Sequence, residues 1–559
     1  MNGTSKAPGR KGLAMLSPQD VITPSERERG IGFLMIDAAA ATAIGALNSG
    51  VVLLALALHI GATAVQIGFL AAVPLLTQVF QAPTVKLVER VRKRRLIAVL
   101  AVFTARLALP VYAIVPFIGD RDAAAALLTA AALLHYGLNA VGACTWNSWM
   151  RDLIPPDRMG QFFSRRGLFG TLVSVLATVA AAFALGLAEG AREAGDRVFC
   201  GLYLFGFACG LVSTWALARV PEPIMPPKGP TAPLHRLLWQ PFRDRNFRNM
   251  LRFLASWQFA VNLATPFFTV YFVRELGYSM SFVLILSVIS QLANVAVIRA
   301  WGGLSDRFAN KAVLSIASPM FILSIVGISL TSGIADAEAR MAYLILLHIL
   351  MGAAGAGVGL ASGNIVMKLS SAESATSYMA TNALVSAIAA GLAPVIGGLA
   401  ADFFARRRIA LHVEWSSPHG TSEVFGLMFT RWEFFFLLSS LIGLYALHRL
   451  TTVQETGAAD RQEVVNHIWK RARRSLYNAS SVAGLRLAVS FPGADLIKSR
   501  ERRPFLLENL FRQFDGRGKP AKSEEVIGTF LKASFDVAPP DHKMDDLLSE
   551  LRKAEKSGD

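Results

Sequence analysis

Long apolar segments recur along most of the chain and are separated by short polar loops. Most of them run for about 20 residues or more, the length that a helix needs to cross a lipid bilayer. They dominate a sequence of 559 residues that is 53% hydrophobic and only 17% charged. A soluble chain of this length would expose polar surface throughout and divide into several domains. The pattern therefore predicts an all-α polytopic membrane protein.

The apolar segments fall into two groups of six, on either side of a polar, proline-rich stretch that starts at Pro221. The predicted spans are 31–58, 64–84, 96–118, 123–149, 166–188, 198–218, 251–273, 279–300, 311–331, 341–366, 375–402 and 432–449. The predicted domains are an N-terminal tail at 1–30, six-helix pseudo-repeats at 31–219 and 251–450 joined by a linker at 220–250, and a polar C-terminal tail at 451–559. No span is expected in either tail.

Lysine and arginine residues gather in alternate loops. One set of loops includes Lys86 to Arg95 and Arg151 to Arg166, whereas the opposite loops contain few basic residues, such as Arg121 and Arg340. Basic loops face the cytoplasm in inner (plasma) membrane proteins, so we expect both termini and both tails to be cytoplasmic. This topology accounts for the net charge of +17 without nucleic acid. The run from Arg406 to Arg408 breaks the rule in the last outer loop.

The three cysteines and the polar C-terminal tail give weaker signals. Cys144, Cys200 and Cys209 all lie in apolar segments, so the sequence predicts neither a disulfide framework nor a metal site, and no cofactor is expected. In the tail, apolar residues recur at helical spacing from Val465 to Leu476, with arginines and a lysine between them. Such a helix could lie on the inner leaflet or pack on the protein's own cytoplasmic face, and both alternatives stay open.

A short acidic–basic loop occurs twice at equivalent positions. The second copy, Gly302–Lys311, lies between the eighth and ninth spans and contains Asp306 followed by Arg307; the first, Val85–Arg94, has Glu89 followed by Arg90. The two acids are 306 − 89 = 217 residues apart, close to half of the membrane block. The loop therefore indicates an internal repeat.

The second copy resembles the signature of the major facilitator superfamily, Gly-x-x-x-Asp-Arg-x-Gly-Arg/Lys-Arg/Lys. It departs at Ala309 and Asn310, whereas the first copy has Val85 and Arg92 in place of the two glycines. Two further stretches resemble facilitators. Ala393–Gly398 resembles their Pro-x-x-Gly-Gly turn, and Trp146–Pro155 resembles the loop between the fourth and fifth helices of a bacterial subgroup. The resemblance covers about residues 30–450 and implies two six-helix halves related as parallel repeats.

The chemistry of the repeated loop suggests a gate at the cytoplasmic face. Asp306 can face the positive N-terminus of a neighbouring helix, and Arg307 can pair with an acid at another helix end. Such contacts would hold the gate shut in an outward-open state; the alternative is a basic turn that only fixes topology. The predicted gate residues are Glu89, Arg90, Asp152, Gly302, Asp306, Arg307 and Glu373.

Two charged residues lie inside predicted spans, where an ionisable group costs a few kcal/mol or more. Asp37 is six positions into the first span, about 9 Å deep, and it resembles the carboxylate that proton-coupled facilitators carry in this helix. The alternative is a carboxylate at the headgroup boundary that pairs with a nearby arginine. Arg106, near the middle of the third span, could bind a substrate anion or Asp37, or form an internal structural ion pair.

The other predicted cavity residues are uncharged or weakly basic. His135 and His348 each follow two leucines and are 348 − 135 = 213 residues apart, so we expect them to be repeat-related; each could titrate in a cavity or be simply hydrogen-bonded. Polar and aromatic side chains in spans could line a cavity for a neutral or amphipathic substrate, or only join helices. These residues are Asn139, Trp257, Gln258, Asn262, Gln291 and Asn294.

Together these features predict a secondary transporter that moves a small solute by alternating access, with proton coupling through Asp37. Its expected partners are the bilayer, the solute and protons. The sequence lacks the Gly-x-x-x-x-Gly-Lys-Ser/Thr loop of ATP-driven proteins and the motifs His-Glu-x-x-His and Gly-x-Ser-x-Gly of hydrolases. The alternatives are a transporter-like sensor or scaffold that signals through its C-terminal tail, and a membrane-embedded enzyme.

Overall fold

The structure is a computed structural model that describes residues 17–455, apart from 49, 226–237, 371–374, 406, 408, 418–419 and 430. The first half contains α1 (Pro24–Asn48), α2 (Gly50–His59), α3 (Ala64–Leu76), α4 (Gln81–Val91), α5 (Arg94–Arg106), α6 (Ala108–Ile114), α7 (Arg121–Leu153), α8 (Pro156–Leu187) and α9 (Arg192–Ala218). The second contains α10 (Arg245–Arg274), α11 (Met280–Phe308), α12 (Asn310–Ser329), α13 (Ala337–Leu369), α14 (Ala375–Phe404), β1 (Ile409–Ser417), β2 (Gly420–Phe429) and α15 (Arg431–Thr451). The C-terminal tail from residue 456, with its predicted amphipathic helix, and Glu373 lie outside the described residues.

Within the described residues, eleven helical stretches are long and apolar enough to cross a membrane. Three of these stretches each contain two consecutive helices. They combine α1 with α2, α3 with α4, and α5 with α6. Helix α10, at the seventh predicted span, is not among the eleven. It is 30 residues long, about 45 Å, and buries fifteen of them, including Phe247 and Trp257.

The first helix begins at Pro24, seven residues before the predicted start of the span. The Thr23 N–H donates to Glu26 Oε2 at 3.0 Å, and the Glu26 N–H donates to Thr23 Oγ1 at 3.3 Å. This reciprocal pair is a capping box, which satisfies N–H groups that a helix start leaves without partners. The Thr-x-x-Glu spacing was present in the sequence, but hydropathy alone does not register a polar first turn.

The all-α prediction needs one correction, because β1 and β2 form an antiparallel hairpin between α14 and α15. Its register pairs Ile409 with Phe429 and Ser417 with Gly420, with an irregularity after Val413. Both segments are rich in β-branched and aromatic residues, which favour strands. Helix α14 ends at Phe404, close to the predicted residue 402, and Arg407 beyond it stacks on the Phe403 ring at 3.6 Å.

The helices of the two halves pack in equivalent pairs. Helix α1 packs against α9 as α10 packs against α15, and α5 packs against α7 as α12 packs against α13. Between the halves, α3 packs against α14 and α8 packs against α11. Each interface therefore joins the second span of one half to the fifth span of the other. This is the packing that two related six-helix bundles require.

The interface between α3 and α14 depends on the absence of side chains. A Cβ placed on Gly398 would lie 2.7 Å from the Ala64 carbonyl oxygen, a distance that real Cβ atoms do not adopt. Gly398 belongs to the Pro-x-x-Gly-Gly stretch, so the glycine permits the close backbone approach expected for that motif.

The two copies of the repeated loop share an unusual backbone. Arg92 (φ 55°) and Ala309 (φ 68°) are the non-glycine residues with positive φ in the described part of the chain. They are 309 − 92 = 217 residues apart and occupy the position at which the signature has glycine. Because a Cβ makes this region unfavourable, both loops are strained, most of all at Ala309, whose ψ of 163° places it in a region adopted almost only by glycine.

A buried glutamate holds the helix that follows each loop. Glu222, which has no exposed surface, accepts hydrogen bonds from the backbone N–H groups of Arg94 at 2.6 Å and Arg95 at 3.1 Å. Glu455 accepts in the same way from the N–H of Lys311 at 2.6 Å and of Asn310 at 3.3 Å. Each carboxylate therefore satisfies the free N–H groups at the start of α5 or α12 and faces the positive end of the helix.

Both glutamates follow the last helix of their half by a few residues, in Val220-Pro221-Glu222 and Val453-Gln454-Glu455. The sequence analysis placed them in the linker and in the C-terminal tail, because those segments are polar. The repeated Val-x-Glu is the signal that links them. We call the face of the protein that bears these glutamates and both repeated loops the basic face, and the other the opposite face.

We expect Ala309→Gly to raise the free energy of unfolding by about 1 kcal/mol, because it removes the side chain that strains this loop and the gain exceeds the added freedom of the unfolded chain. Ala312→Gly, three residues on in α12, is the matched control and should lower it by about 1 kcal/mol. Denaturation in detergent micelles measures both. Equal destabilisation by the two substitutions would show that the Ala309 backbone carries no strain.

Glu455→Gln should lower the free energy of unfolding by about 2 kcal/mol, because a charged acceptor of several N–H groups is lost. Burial alone would raise the pKa of Glu455, but the hydrogen bonds that it accepts, led by the Lys311 N–H, outweigh burial and lower that pKa from 4.5. The charged group therefore stabilises the fold above pH 4.5, and this contribution disappears as the pH falls below that value.

Acidification should consequently destabilise the wild type more than Glu455→Gln. Exposed Glu338, at the start of α13, provides the control substitution Glu338→Gln, with an effect within about 0.5 kcal/mol. Parallel acid dependence in wild type and Glu455→Gln would contradict the assigned role.

Candidate functional site

A cavity of about 790 Å³ lies between the two halves. Its walls come from α1 and α8 of the first half and from α10, α11, α12 and α13 of the second. Most of its lining is small, hydroxyl or amide side chains, with a few apolar ones. The lining includes Thr42, Phe163, Arg166, Thr171, Ser174, Thr265, Ser290, Gln291, Asn294, Phe321 and Met351.

Arg166 is the one charged side chain among the described residues that line this cavity. Its guanidinium donates from Nη1 and Nη2 to Asp37 Oδ2, both at 3.3 Å, and from Nη1 to the Leu34 carbonyl at 2.9 Å. It also lies 4.7 Å from the centre of the Trp146 ring. The arginine is therefore held by an acid, a backbone carbonyl and an aromatic face while it borders open space.

Asp37 lies behind Arg166. It is 5% exposed and does not itself line the cavity. Its other oxygen, Oδ1, accepts a hydrogen bond from Ser213 Oγ of α9 at 2.7 Å. The carboxylate thus joins α1, α8 and α9 of the first half, and it reaches the cavity only through the arginine.

Arg106 and His135 form a separate buried cluster in the first half. Arg106 Nη1 donates to Asn139 Oδ1 at 3.1 Å, so its hydrogen-bond partner is an amide rather than Asp37. His135 is 3% exposed, and its Nδ1 donates to the Ala105 carbonyl at 2.9 Å. None of these three predicted cavity residues is among the described lining residues. All three residues therefore make internal hydrogen bonds, and the amide partner of Arg106 differs from the structural ion pair given as its alternative.

In the second half, Gln291 and Asn294 line the cavity, whereas four other predicted residues are not among its lining residues. His348 donates from Nδ1 to the Leu344 carbonyl of its own helix at 2.8 Å. Trp257 is buried and packs against the Phe321 ring at 5.7 Å. Asn262 donates to the Gln258 carbonyl at 2.8 Å, within α10.

A hydrogen bond between the halves crosses the end of the cavity that is farther from the basic face. Ser174 Oγ of α8 donates to Gln291 Oε1 of α11 at 3.1 Å. A second cavity of about 360 Å³ shares Thr42, Ser174 and Gln291 with the first and continues among residues such as Val52 and Leu284. The Ser174–Gln291 pair therefore lies at the junction of the two spaces.

Further hydrogen bonds join the two halves near the opposite face. Ser281 Oγ, at the start of α11, donates to the Ala182 carbonyl of α8 at 2.8 Å. Arg274, at the end of α10, donates from Nη2 to the Ala62 carbonyl before α3 at 2.8 Å. With the Gly398 contact, these bonds hold the halves together on the opposite side of the cavity from the basic face.

The predicted gate residues that the structure describes lie at the basic face, with a different partner for the acid of the first half. Asp152 accepts a hydrogen bond from Arg94 at 2.5 Å, and Arg94 also lies beside Glu222, whereas Arg90 is exposed. In the second copy, Asp306 and Arg307 are exposed, and Arg307 lies 5.1 Å from the Phe308 ring. Glu89 and Gly302 are half-buried.

The sequence analysis missed Arg166, Thr42 and Ser174. Arg166 was read as part of a basic loop because it is adjacent to Arg165. However, α8 begins at Pro156, so Arg166 is ten residues, about 15 Å, along the helix. The signal that could have identified it is Pro156, because proline is favoured at the first position of a helix and so moves the start of this helix toward the N-terminus.

Comparison with known proteins places this geometry in a family. The family model described as Major Facilitator Superfamily matches residues 33–394, more than half of the chain. The search of curated proteins found no match.

Solved structures of transporters share the fold. A mutant of the nucleoside transporter NupG has a TM-score of 0.57 at 12% identity, with 76% of this chain and 100% of that chain covered. A D-xylose-proton symporter has a TM-score of 0.54 at 14% identity, covering 77% and 98%. A bacterial homologue of the iron transporter ferroportin in an inward-facing state has a TM-score of 0.54 at 11% identity, covering 78% and 100%.

At these identities the solved structures show the fold alone, and the family model carries the assignment. The repeated loop, the paired halves and the cavity between them agree with it. The chain belongs to the Major Facilitator Superfamily.

Proposed function

We propose that the protein is a secondary active transporter that moves a small solute across the cytoplasmic membrane by alternating access. Family membership makes it a membrane transporter and not an enzyme. The observation that carries the proposal is the cavity between the halves, lined by Arg166 from one half and by Gln291 and Asn294 from the other. A solute bound there would touch both halves, so their relative movement would change its access.

The proposed topology has twelve spans, with α10 as the seventh. Its first two turns contain Arg245, Arg248 and Arg252, which would lie at the membrane surface, whereas the apolar remainder crosses the bilayer. The basic face is then cytoplasmic, as are both termini, and the membrane is the inner membrane.

We infer that this conformation corresponds to the state open to the cytoplasm, and two observations support the inference. The contacts Ser281–Ala182 and Arg274–Ala62 close the opposite face, whereas the cavity reaches Phe163, seven residues from the start of α8 at the basic face. Rocking of the halves would break these contacts and close the basic face. The Ser174–Gln291 bond would separate in the same step.

Coupling to protons would act through the Asp37–Arg166 pair. Charged Asp37 holds Arg166 in place; protonation removes the carboxylate charge and leaves the guanidinium available to a substrate at the cavity wall. A proton and the ion pair therefore compete for the same carboxylate. An oxygen-rich or anionic solute suits this arrangement, because Arg166 presents planar donors and the nearby amides add polar partners.

Asp37→Asn should abolish uphill accumulation driven by a pH gradient, because an amide cannot carry the proton. Exchange of labelled against unlabelled solute needs no net proton movement and should stay within about threefold of wild type. Both are measured in proteoliposomes with a solute found by screening. The exposed Asp20 provides the control Asp20→Asn, which should accumulate solute as wild type does. Uphill accumulation by Asp37→Asn equal to wild type would refute the coupling.

Alternating access can be tested by joining the halves at the opposite face. In a background without Cys144, Cys200 and Cys209, oxidation of the pair Ala182→Cys and Ser281→Cys should block transport, and a reductant should restore it. The bond would lock a contact that must open in each cycle.

A matched contact within one half is the control for this cross-link. Ser439 Oγ donates to the Ala260 carbonyl at 2.7 Å, a Ser-to-Ala contact between α15 and α10. Oxidation of Ala260→Cys with Ser439→Cys should change transport by less than about twofold, because the half moves as a body. Undiminished transport with a complete cross-link between Ala182→Cys and Ser281→Cys would exclude the proposed movement.

A further inference from the structure

A second large pocket, of about 860 Å³, opens at the basic face between the start of α10 and the end of α15. Arginine dominates its lining. The lining residues are Arg245, Asn246, Arg248, Asn249, Arg252, Arg449, Thr452 and Gln454. Neither the family assignment nor the transport cycle requires such a pocket.

The pocket has a strong excess of positive charge. Four arginines line it, and none of its described lining residues is acidic. The acids on the adjoining segments are engaged elsewhere: Asp244 accepts the N–H groups of Asn246 at 2.8 Å and Phe247 at 3.1 Å, and Glu455 accepts those at the start of α12. Four like charges in one concavity repel one another unless an anion joins them.

Two of the arginines also have unused donors. The Nε atoms of Arg248 and Arg449 are buried and have no hydrogen-bond partner among the described residues. A buried N–H without a partner destabilises the fold, and more so when the group is charged. An anion in the pocket would balance the charge of both guanidinium groups.

The walls of the pocket are built by hydrogen bonds rather than by loose surface chains. Asn246 Nδ2 donates to the Gln454 carbonyl at 2.7 Å, and the Gln454 N–H donates back to Asn246 Oδ1 at 2.8 Å. Asn249 Nδ2 donates to the Thr452 carbonyl at 3.3 Å. These bonds tie the segment after α15 to the first turns of α10 and fix the spacing of the arginines.

The pocket is separate from the transport cavity. Thr265 is the residue of α10 that lines the cavity. At 100° per residue, Arg245, Asn249 and Arg252 lie about 140–160° around the helix from Thr265. The arginine side of α10 therefore faces away from the solute path.

We propose that this pocket binds the phosphate group of an anionic phospholipid. The guanidinium groups match phosphate in charge and in their paired donors. The pocket lies where two spans end at the basic face, which is the level of the lipid headgroups, and basic pockets between membrane helices on this side bind such headgroups. Because the lipid would bridge α10 and α15, it would stabilise the basic-face end of the second half.

The test uses the full-length protein in detergent micelles and native mass spectrometry, with phosphatidylglycerol, phosphatidylcholine and inorganic phosphate as separate probes. Wild type should bind phosphatidylglycerol at least about tenfold more tightly than phosphatidylcholine. Arg245→Gln with Arg252→Gln, two exposed positions, should remove this preference; Arg248→Gln is a second variant if that double variant does not fold. Arg165→Gln with Arg299→Gln removes two exposed arginines elsewhere and should keep the preference.

The outcomes separate the possible sources of the phosphate. Tight binding of inorganic phosphate that depends on Arg245 and Arg252, without a preference for phosphatidylglycerol, would overturn the lipid assignment in favour of a soluble phosphate. Equal binding of all three probes by wild type and the double variant would refute the site altogether. Because none of these readouts involves transport, failure of the proposed transport function would leave the result unchanged.

Discussion

An arginine within a membrane bundle must pair with an acid or face water, and Arg166 does both. The Asp37 carboxylate behind it and the open cavity before it are the two environments between which its charge is shared. Polar contacts to Asp37 connect the three helices α1, α8 and α9, because Ser213 of α9 donates a hydrogen bond to the carboxylate oxygen that Arg166 does not contact. Under the proposed mechanism, Arg166 also links an acid that does not line the cavity to what enters the cavity.

In both halves, a buried glutamate caps the helix that follows the repeated loop. Each half must turn sharply at the basic face and start a new helix whose first N–H groups lack partners. Glu222 and Glu455 supply the acceptors, and Arg92 and Ala309 adopt the positive φ that the turn requires. In the first half the arrangement extends through Arg94 to Asp152, so the cap and the ion pair form one network. In the second half Lys368 takes a comparable place, pairing with Glu455 at 3.0 Å.

Hydropathy and spacing predicted the bundle because both follow directly from the bilayer. A span must be apolar over about 20 residues, and a duplicated half must repeat its loops at a fixed offset. The hairpin 409–429 was missed because its residues are moderately apolar and the prediction considered only helices. Arg166 was missed because a basic pair next to a span has the same composition whether it lies in a loop or, as here, ten residues along the helix. Gln291 and Asn294 line the cavity, whereas Arg106, His135 and His348 are not among its lining residues. All five are polar residues in apolar segments, and the direction in which each side chain faces depends on helix packing, which the sequence does not show.

The contacts between the two halves at the opposite face differ in kind from the contacts within each half at the basic face. At the opposite face they are short-range and backbone-directed, as at Ser281–Ala182 and at Gly398, so they require close approach and are lost together when the helices separate. At the basic face the buried contacts are within each half, as with Glu222 and Glu455, and they survive any rigid movement of one half against the other. In the proposed alternating-access cycle, such a division would let the halves move as bodies, since the strong polar networks would stay intact while only the weaker contacts between the halves are exchanged. The Ser174–Gln291 bond, between polar groups that can each rebind water or solute, is suited to the point at which the two cavities meet.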